Sequence, residues 1–403
     1  MSAVTGVHPS VGLAEEEPSF EIGGPAYRLM QRIGIIQDGN PSVVRRSVCF
    51  VLVTWFPLLL LCLWEGDAVG AAPRLSFLLD FAAYARLFIA VPLIFAAESL
   101  VGPRLRAAGR RFIEGGLIHP ECQGQFLAAV ARVQQRRESA LPEVGLAIFA
   151  LAAAWFVTLE QITGIGVREV SWGRDATHLL PAGLWYRTIV VPLIQFFALR
   201  WIWHWIIWVL FLREVSRLRL NLLPTHTDLS AGLGFLGMGH VSMAIFPFAI
   251  SCVITAELAF RIQFEGMTLS GLQALLPLLL AYLLFVEMLI FGPLAVFIPV
   301  LAKARRDALR SYGMLVQHHN QLFHDKWIIA PLSPPESPLG DPDMSSLVDL
   351  GSSFTVIREM NIVPVNRRQM FQVAAVTCLP GVPLIFLALP IAEVARLLLG
   401  VLV

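Results

Sequence analysis

Charge is scarce in this 403-residue chain: 15% of its residues are Asp, Glu, Lys or Arg, against about 25% in soluble domains. Lysine is scarcer still, with only Lys303 and Lys326, so arginine supplies 28 of the 30 basic residues. With so few charges, water cannot be the solvent for most of the chain. The net charge of +1 and the lack of a long basic run argue against a nucleic-acid partner. The five cysteines (Cys49, Cys62, Cys122, Cys252, Cys378) are scattered and form no CxxC pair, which excludes a disulfide framework and a zinc knuckle. GxxxxGK[ST], HExxH and GxSxG are all missing, so an ATPase, a zincin or an α/β-hydrolase has no motif behind it. The first forty residues lack a basic head followed by a short apolar core, so no signal peptide is expected there. Glu15-Glu16-Glu17-Pro18 reads as a solvated tail.

Apolar residues are abundant. They make up 56% of the chain, Phe (26) and Trp (10) are frequent, and the mean hydropathy is +0.69. A membrane-crossing helix needs roughly 20 consecutive mostly apolar residues. Seven stretches meet that length, at about 47–64, 77–100, 143–163, 184–212, 232–260, 270–300 and 370–390. The basic residues alternate with them. Twenty-two fall before span one and between spans two and three, four and five, and six and seven. Six (Arg74, Arg168, Arg174, Arg187, Arg261, Arg396) fall on the other side, and Arg86 and Arg200 lie within spans. By the positive-inside rule the N-terminus is cytoplasmic and the C-terminus is outside.

The fold class expected is all-α: a polytopic membrane helical bundle of about seven transmembrane helices. It divides into a cytoplasmic tail (1–46), a membrane hairpin (47–100), a cytoplasmic helical segment (101–142) and a second hairpin (143–212). A cytoplasmic loop (213–231), a third hairpin (232–300), a second cytoplasmic helical segment with a Pro-rich linker (301–369) and a last membrane helix with its tail (370–403) follow. Both cytoplasmic segments are expected to pack beneath the bundle, and both are candidate docking regions for a protein partner. The lipid bilayer itself is the one general partner.

Val91-Pro92-Leu93-Ile94 in span two recurs as Val191-Pro192-Leu193-Ile194 in span four, and span six carries Gly292-Pro293-Leu294-Ala295. Spans one, three and five end in Glu65, Glu160 and Glu257. This spacing predicts three tandem hairpins in one orientation, in which Arg86, Tyr186 and Glu287 are equivalent. The alternative is chance recurrence of apolar tetrapeptides.

Intramembrane ionisable residues are costly and therefore functional candidates. Arg86 and Glu287 read as an intramembrane charge pair, either a relay or substrate anchor, or a structural pair fixing helix register. Arg200 and His204 share a helix face among Trp201, Trp205 and Trp208. The tryptophans read as an interfacial belt, with Arg200 snorkelling, or else Arg200 and His204 hold a lipid headgroup or anion. Glu65, Glu160 and Glu257 form either an outer cation-attracting ring or surface pairs such as Glu257–Arg261. His318, His319, His324 and Asp325 have poor metal-ligand spacing, as does His119-Pro-Glu-Cys122. No metal, cofactor or catalytic residue is assigned.

Gly232, Gly234, Gly237 and Gly239 spell GxGxxGxG, but no strand precedes them, so the dinucleotide-binding context fails. They are read as helix-packing positions at the entrance of span five. Thr227 or Asp228 would cap that helix, and His226 and Asp228 are candidate contacts for an anion at its end.

Thr225-His-Thr-Asp-Leu-Ser-Ala-Gly-Leu-Gly-Phe-Leu-Gly237 resembles a His-x-Asp…Gly-Leu-Gly-Phe-Leu signature of uncharacterised bacterial multi-pass inner-membrane proteins. Asp343-Met-Ser-Ser-Leu-Val-Asp-Leu-Gly-Ser-Ser-Phe354, running on to Val363-Pro364, resembles a second signature of that group, and Lys326-Trp327 fits it too. The resemblance covers roughly the C-terminal half. It implies a bacterial inner-membrane location and no activity to transfer. Three classes of function remain: a transport, channel or ion-coupled membrane component; a scaffold or regulatory subunit with a cytoplasmic partner; and a membrane-embedded enzyme acting on lipid. A non-enzymatic role is favoured.

Overall fold

The computed structural model describes residues 23–36, 42–70, 76–156, 179–329 and 342–388. Among these the chain is all-helical, with one isolated bridge between Ile118 and Leu220 and no strand. Helix α1 spans Pro25–Arg32 and α2 Val43–Glu65. The chain then runs through α3 (Phe81–Glu114), α4 (Gln123–Glu138), α5 (Ala140–Phe156), α6 (Pro181–Val215), α7 (Gly234–Glu265) and α8 (Leu276–Ile329). Helices α9 (Pro342–Glu359), α10 (Arg367–Cys378) and α11 (Val382–Ala388) complete it.

Five helices are long and apolar enough to cross a membrane: α2, α3, α6, α7 and α8. A sixth arises if the pair Pro120–Glu138 and Ala140–Phe156, bent by 42°, is one span. The expected count of seven is therefore not reached among the described residues. The expected seventh span starts at Arg367, breaks at Leu379–Gly381 around Pro380, and is described only to Ala388. Glu160, the end of span three, the Pro-rich linker and the 391–403 tail lie outside the described residues.

Caps set several helix ends. The Ser42 hydroxyl accepts from the Arg45 N–H at the start of α2, and Asp80 accepts from Ala83 N–H at the start of α3, which supplies acceptors to orphan first-turn donors. Gly66 and Gly266 close α2 and α7 with φ of +84° and +66°, a conformation that an L side chain resists. Asn366 and Gln369 form a reciprocal capping box at the start of α10.

Two spans share a defect. In α3 a π-helical turn covers Ala85–Ala90 immediately before Val91-Pro92, and in α6 one covers Tyr186–Val190 immediately before Val191-Pro192. Proline lacks an N–H, and its ring crowds the carbonyl four residues earlier, so a widened turn relieves the helix at this point. The third candidate repeat differs: Gly292–Phe297 is a 3-10 stretch.

Helices α2 and α3 pack together, α5 lies along α6, and α7 sits against the first half of α3 and against α10 and α11. Polar contacts sort these helices into two levels. Arg46 (start of α2), Glu98 (second half of α3), Glu143 (start of α5) and Arg200 (α6) meet at one level. At the other, Ala182 N–H donates to Glu65 at the end of α2, and Arg86 donates to Tyr186 near the starts of α3 and α6. Helices α2 and α5 therefore run opposite to α3 and α6, the end of α5 meeting Arg187 near the start of α6.

Helices α3 and α8 continue beyond any hydrocarbon layer. The 34 residues of α3 reach about 50 Å at ~1.5 Å per residue, against a core of about 30 Å. Phe112 in the extension of α3 contacts the rings of Phe126 (α4), Phe211 (α6), Phe235 (α7) and Phe297 (α8). This aromatic hub fixes the 101–142 segment to the bundle. The second half of α8 pairs instead with α9 as a hairpin, tied by Lys326 Nζ to Asp343 Oδ2 at 2.6 Å. That bond is the largest influence holding the exposed Asp343 carboxyl below its ordinary range.

Candidate functional site

The densest polar cluster links five helices. Arg200 is fully buried, and each of its three guanidinium nitrogens has a partner. Nε donates to Glu143 Oε1 at 3.1 Å, Nη1 donates to Glu98 Oε1, and Nη2 donates to the Gly23 carbonyl at 3.1 Å. Glu143 Oε2 accepts the Ala26 N–H of α1 at 2.7 Å. Glu98 Oε2 pairs with Arg46 Nη2 at 2.6 Å, and the Arg46 guanidinium lies 4.4 Å from the centre of the Phe95 ring. Two cations and two anions alternate as Arg46–Glu98–Arg200–Glu143, so the cluster is formally neutral. The planar guanidinium holds two carboxylates and a carbonyl, one through each nitrogen.

This arrangement corrects the snorkelling and ligand readings of Arg200. Its donors are already used inside the protein and none faces an incoming anion. The tryptophan belt is corrected in part: Trp208 is fully buried and donates to His240 Nε2 at 3.2 Å, and Trp201 stacks on Phe246 at 4.1 Å. His240 also meets the Leu236 carbonyl through Nδ1 at 2.8 Å, so both ring nitrogens are satisfied when Nδ1 carries the proton. His204 is buried with Nε2 lacking a hydrogen bond, beside a cavity of about 30 Å³ shared with Glu98, Trp201, Trp205 and Met243. That volume suits one water molecule.

The expected Arg86–Glu287 pair is not formed. Arg86 Nη1 donates to the Tyr186 hydroxyl, and the carboxylates of Asp80 and Glu257 act on it electrostatically. The two residues thus join the π turns of α3 and α6. Glu257 is paired with Arg261 at 3.0 Å, as their i, i+4 spacing suggested. Glu287 sits apart on α8. Both its carboxylate oxygens are covered and neither has a hydrogen-bond partner.

The glycine run is a loop followed by a helix start. Asp228 Oδ1 accepts from the Ser230 and Gly232 N–H groups at 2.9 and 3.1 Å, and Oδ2 accepts from the Gly234 N–H at 2.8 Å. Asp228 therefore reaches the first turn of α7 from six residues upstream; Thr227 does not. Burial alone would push its pKa up, but the donated hydrogen bonds of Gly234, Ser230 and Gly232, with His226 nearby, hold the carboxyl below its ordinary range. His226 Nδ1 lies 2.9 Å from Asp228 Oδ1. The backbone donors that would have served an external anion are thus occupied by Asp228.

The four glycines have four different reasons. Gly232 lies outside the helix with φ +95°. Gly234 leaves room for Asp228, whose Oδ2 would be 2.9 Å from an added Cβ. Gly237 is a close-packing site, where a Cβ would lie 2.7 Å from the Pro364 carbonyl. Gly239 has open space around it, so the packing role expected for all four is met in this form only by Gly237. Gly237→Ala is expected to destabilise the protein by about 1–3 kcal/mol through overpacking, read as a loss of melting temperature in detergent. Gly239→Ala should be neutral or stabilising by up to about 1 kcal/mol, and equal behaviour of the two would refute the close-packing assignment.

The two signature stretches meet here. The Leu229 carbonyl accepts the Asn361 N–H at 2.7 Å, and Gly237 faces Pro364 and Gln369. Sequence reasoning missed Arg46, Glu98 and Glu143 as site residues. The available signal was a carboxylate at the start of span three and another near the end of span two.

No protein-family model matches this chain, and neither a curated protein nor a solved structure matches it. The resemblance to the bacterial membrane proteins rests on the two motifs alone.

Proposed function

We propose that this chain is a seven-span protein of a bacterial cytoplasmic membrane, N-terminus inside, working as a transport or ion-coupled component. The orientation is supported by the 22 basic residues on one side against six on the other. A three-hairpin repeat gains support from the matched π turns of α3 and α6 and loses some from the 3-10 stretch of α8. The observation that carries the functional reading is Glu287: a carboxyl within an apolar span, with both oxygens covered and unpartnered. Retaining an unpaired ionisable group at such a place is costly, by about 2.5–3.5 kcal/mol on insertion scales for a charged residue such as Asp, and marks an ion pathway by default. Glu287→Gln in reconstituted liposomes is expected to abolish ion flux while leaving the melting temperature within a degree or two. Flux that is unchanged by the substitution would remove the pathway.

A second reading has its own observation. The α8–α9 hairpin exposes Met314, Leu315, Leu322, Ile328, Ile329 and Val348, an apolar surface suited to a cytoplasmic protein partner. A scaffold would keep its activity in Glu287→Gln and lose it when these side chains become polar. A lipid-modifying enzyme is disfavoured because Arg200, its proposed headgroup contact, has all three nitrogens engaged.

A further inference from the structure

We infer that Glu287 is a proton-binding site and that the coupled ion is H⁺ rather than a metal cation. The inference rests on the ion-coupled reading above for what the proton is used for. The binding itself is argued from the carboxyl's surroundings and is tested without flux.

Six glutamates of the described apolar spans and the α5 helix are buried or half-buried: Glu65, Glu98, Glu143, Glu214, Glu257 and Glu287. Five have partners, Glu214 meeting Arg132 and Arg136. Glu65 Oε1 accepts the Ala182 N–H at 2.9 Å, Glu98 meets Arg46 and Arg200, Glu143 meets Arg200 and the Ala26 N–H, and Glu257 meets Arg261. Each of these carboxylates lies next to a cation or a backbone donor. Glu287 alone among them has neither, on either oxygen.

Its position on α8 excludes rescue by water at the helix surface. Val286 and Ile290 are buried in the core, while Leu284, Phe285 and Met288 are exposed on the apolar outer face. Glu287 lies at the seam between these faces, with exposed apolar side chains on one side and packed hydrocarbon on the other. An unpaired carboxylate there has nothing to replace its hydration shell. A metal cation would not solve this, because Na⁺-like or Ca²⁺-like ions need several oxygen ligands, about six to eight for Ca²⁺. Glu287 offers two oxygens with no polar partner, and no cluster of three metal-ligating side chains occurs among the described residues. A proton needs one oxygen and no further ligand, so it is the ion this site can hold.

A lipid-soluble carbodiimide tests the inference, because it adds only to a protonated carboxyl. The acid O–H adds across one C=N bond, the proton moving to nitrogen and the oxygen to carbon. The O-acylisourea then rearranges to a stable N-acylurea with no other reactant and no leaving group. The full-length protein in phosphatidylcholine vesicles is treated with dicyclohexylcarbodiimide and its peptides are weighed. One adduct is expected on Glu287, lost in Glu287→Gln and kept in Glu287→Asp. Labelling should fall by about tenfold per pH unit above the midpoint of titration. Glu65, Glu98, Glu143 and Glu257 should stay unlabelled.

No adduct at Glu287 in a protein that melts normally would overturn the inference. So would equal labelling of Glu98 and Glu143, or protection by sodium chloride that choline chloride does not give, which would assign the site to a metal cation. An adduct at Glu287 together with flux that ignores Glu287→Gln would keep the proton site and remove the transport reading. Lost flux without an adduct would do the reverse.

Discussion

Arg200→Met is expected to destabilise the protein by about 3–5 kcal/mol, the usual cost of stripping one partner from a buried ion pair. Methionine fills much the same volume, so the loss would come from electrostatics rather than from a cavity. Glu143 would keep only the Ala26 N–H, and Glu98 only Arg46. The Gly23 carbonyl would lose its donor as well, so α1 would be held to the cluster by the Ala26–Glu143 bond alone. Glu143→Gln in the Arg200→Met background removes the charge left uncompensated, and the double variant should recover part of the loss. Non-additivity of about 0.5–3 kcal/mol is expected for such contacting residues. Arg200→Lys should fall between, since an ammonium cannot hold three partners in one plane. Melting temperatures in detergent check this series against Arg310→Met on the exposed face of α8. A loss at Arg200 no larger than at Arg310 would show that the cluster contributes nothing net.

The same cluster shows where the sequence was legible and where it was not. A helix must bring about 20 apolar residues to cross a bilayer, and this local requirement made α2, α3, α6, α7 and the first part of α8 visible. The stretch expected as a seventh span is not one long helix among the described residues, because Pro380 interrupts it and Arg367 and Arg368 open it. The ion-pair partners carry no such local mark. Arg200 is 102 residues from Glu98 and 57 from Glu143, and no periodicity connects them. Only the packing of α3 and α5 against α6 decides that they meet. The repeat reading located Arg86 and Tyr186 at equivalent positions, and these two do form a hydrogen bond. It also added Glu287 to the same axis. The 3-10 stretch at Gly292–Phe297 is where α8 departs from the other two helices, and Glu287 has no contact with Arg86. In the glycine run the capping role of Asp228 was readable from residue type. The left-handed Leu229 and Ala231 were not, since neither residue type favours that conformation.

Those two residues make Asp228 the second position of large expected effect. Leu229 and Ala231 hold φ of +56° and +53°, a conformation costing about 1–2 kcal/mol per non-glycine residue. The loop keeps this shape because one carboxylate accepts three backbone donors, from Ser230, Gly232 and Gly234. Hydrogen bonds to a charged group contribute about 1.5–3 kcal/mol each. Because the site is partly solvated, water can replace some of them, so Asp228→Ala should cost on the order of 3 kcal/mol in all. Asp228→Asn should cost less, because its oxygen can still serve Ser230 and Gly232 while its NH₂ faces the Gly234 donor. The effect should spread to the 360–366 segment, whose Asn361 N–H is held by the Leu229 carbonyl. The folded carboxyl titrates below its ordinary range, so its stabilisation is complete above the unfolded value of about 3.9. It is lost as pH falls through the lower, folded value. Amide exchange in 229–236 and 360–366, corrected for intrinsic rates, should therefore rise on acidification in the wild type. In Asp228→Asn it should be raised already at neutral pH and carry no such step. If 360–366 stays as protected in Asp228→Ala as in the wild type, the contact between the two signature stretches does not depend on this loop.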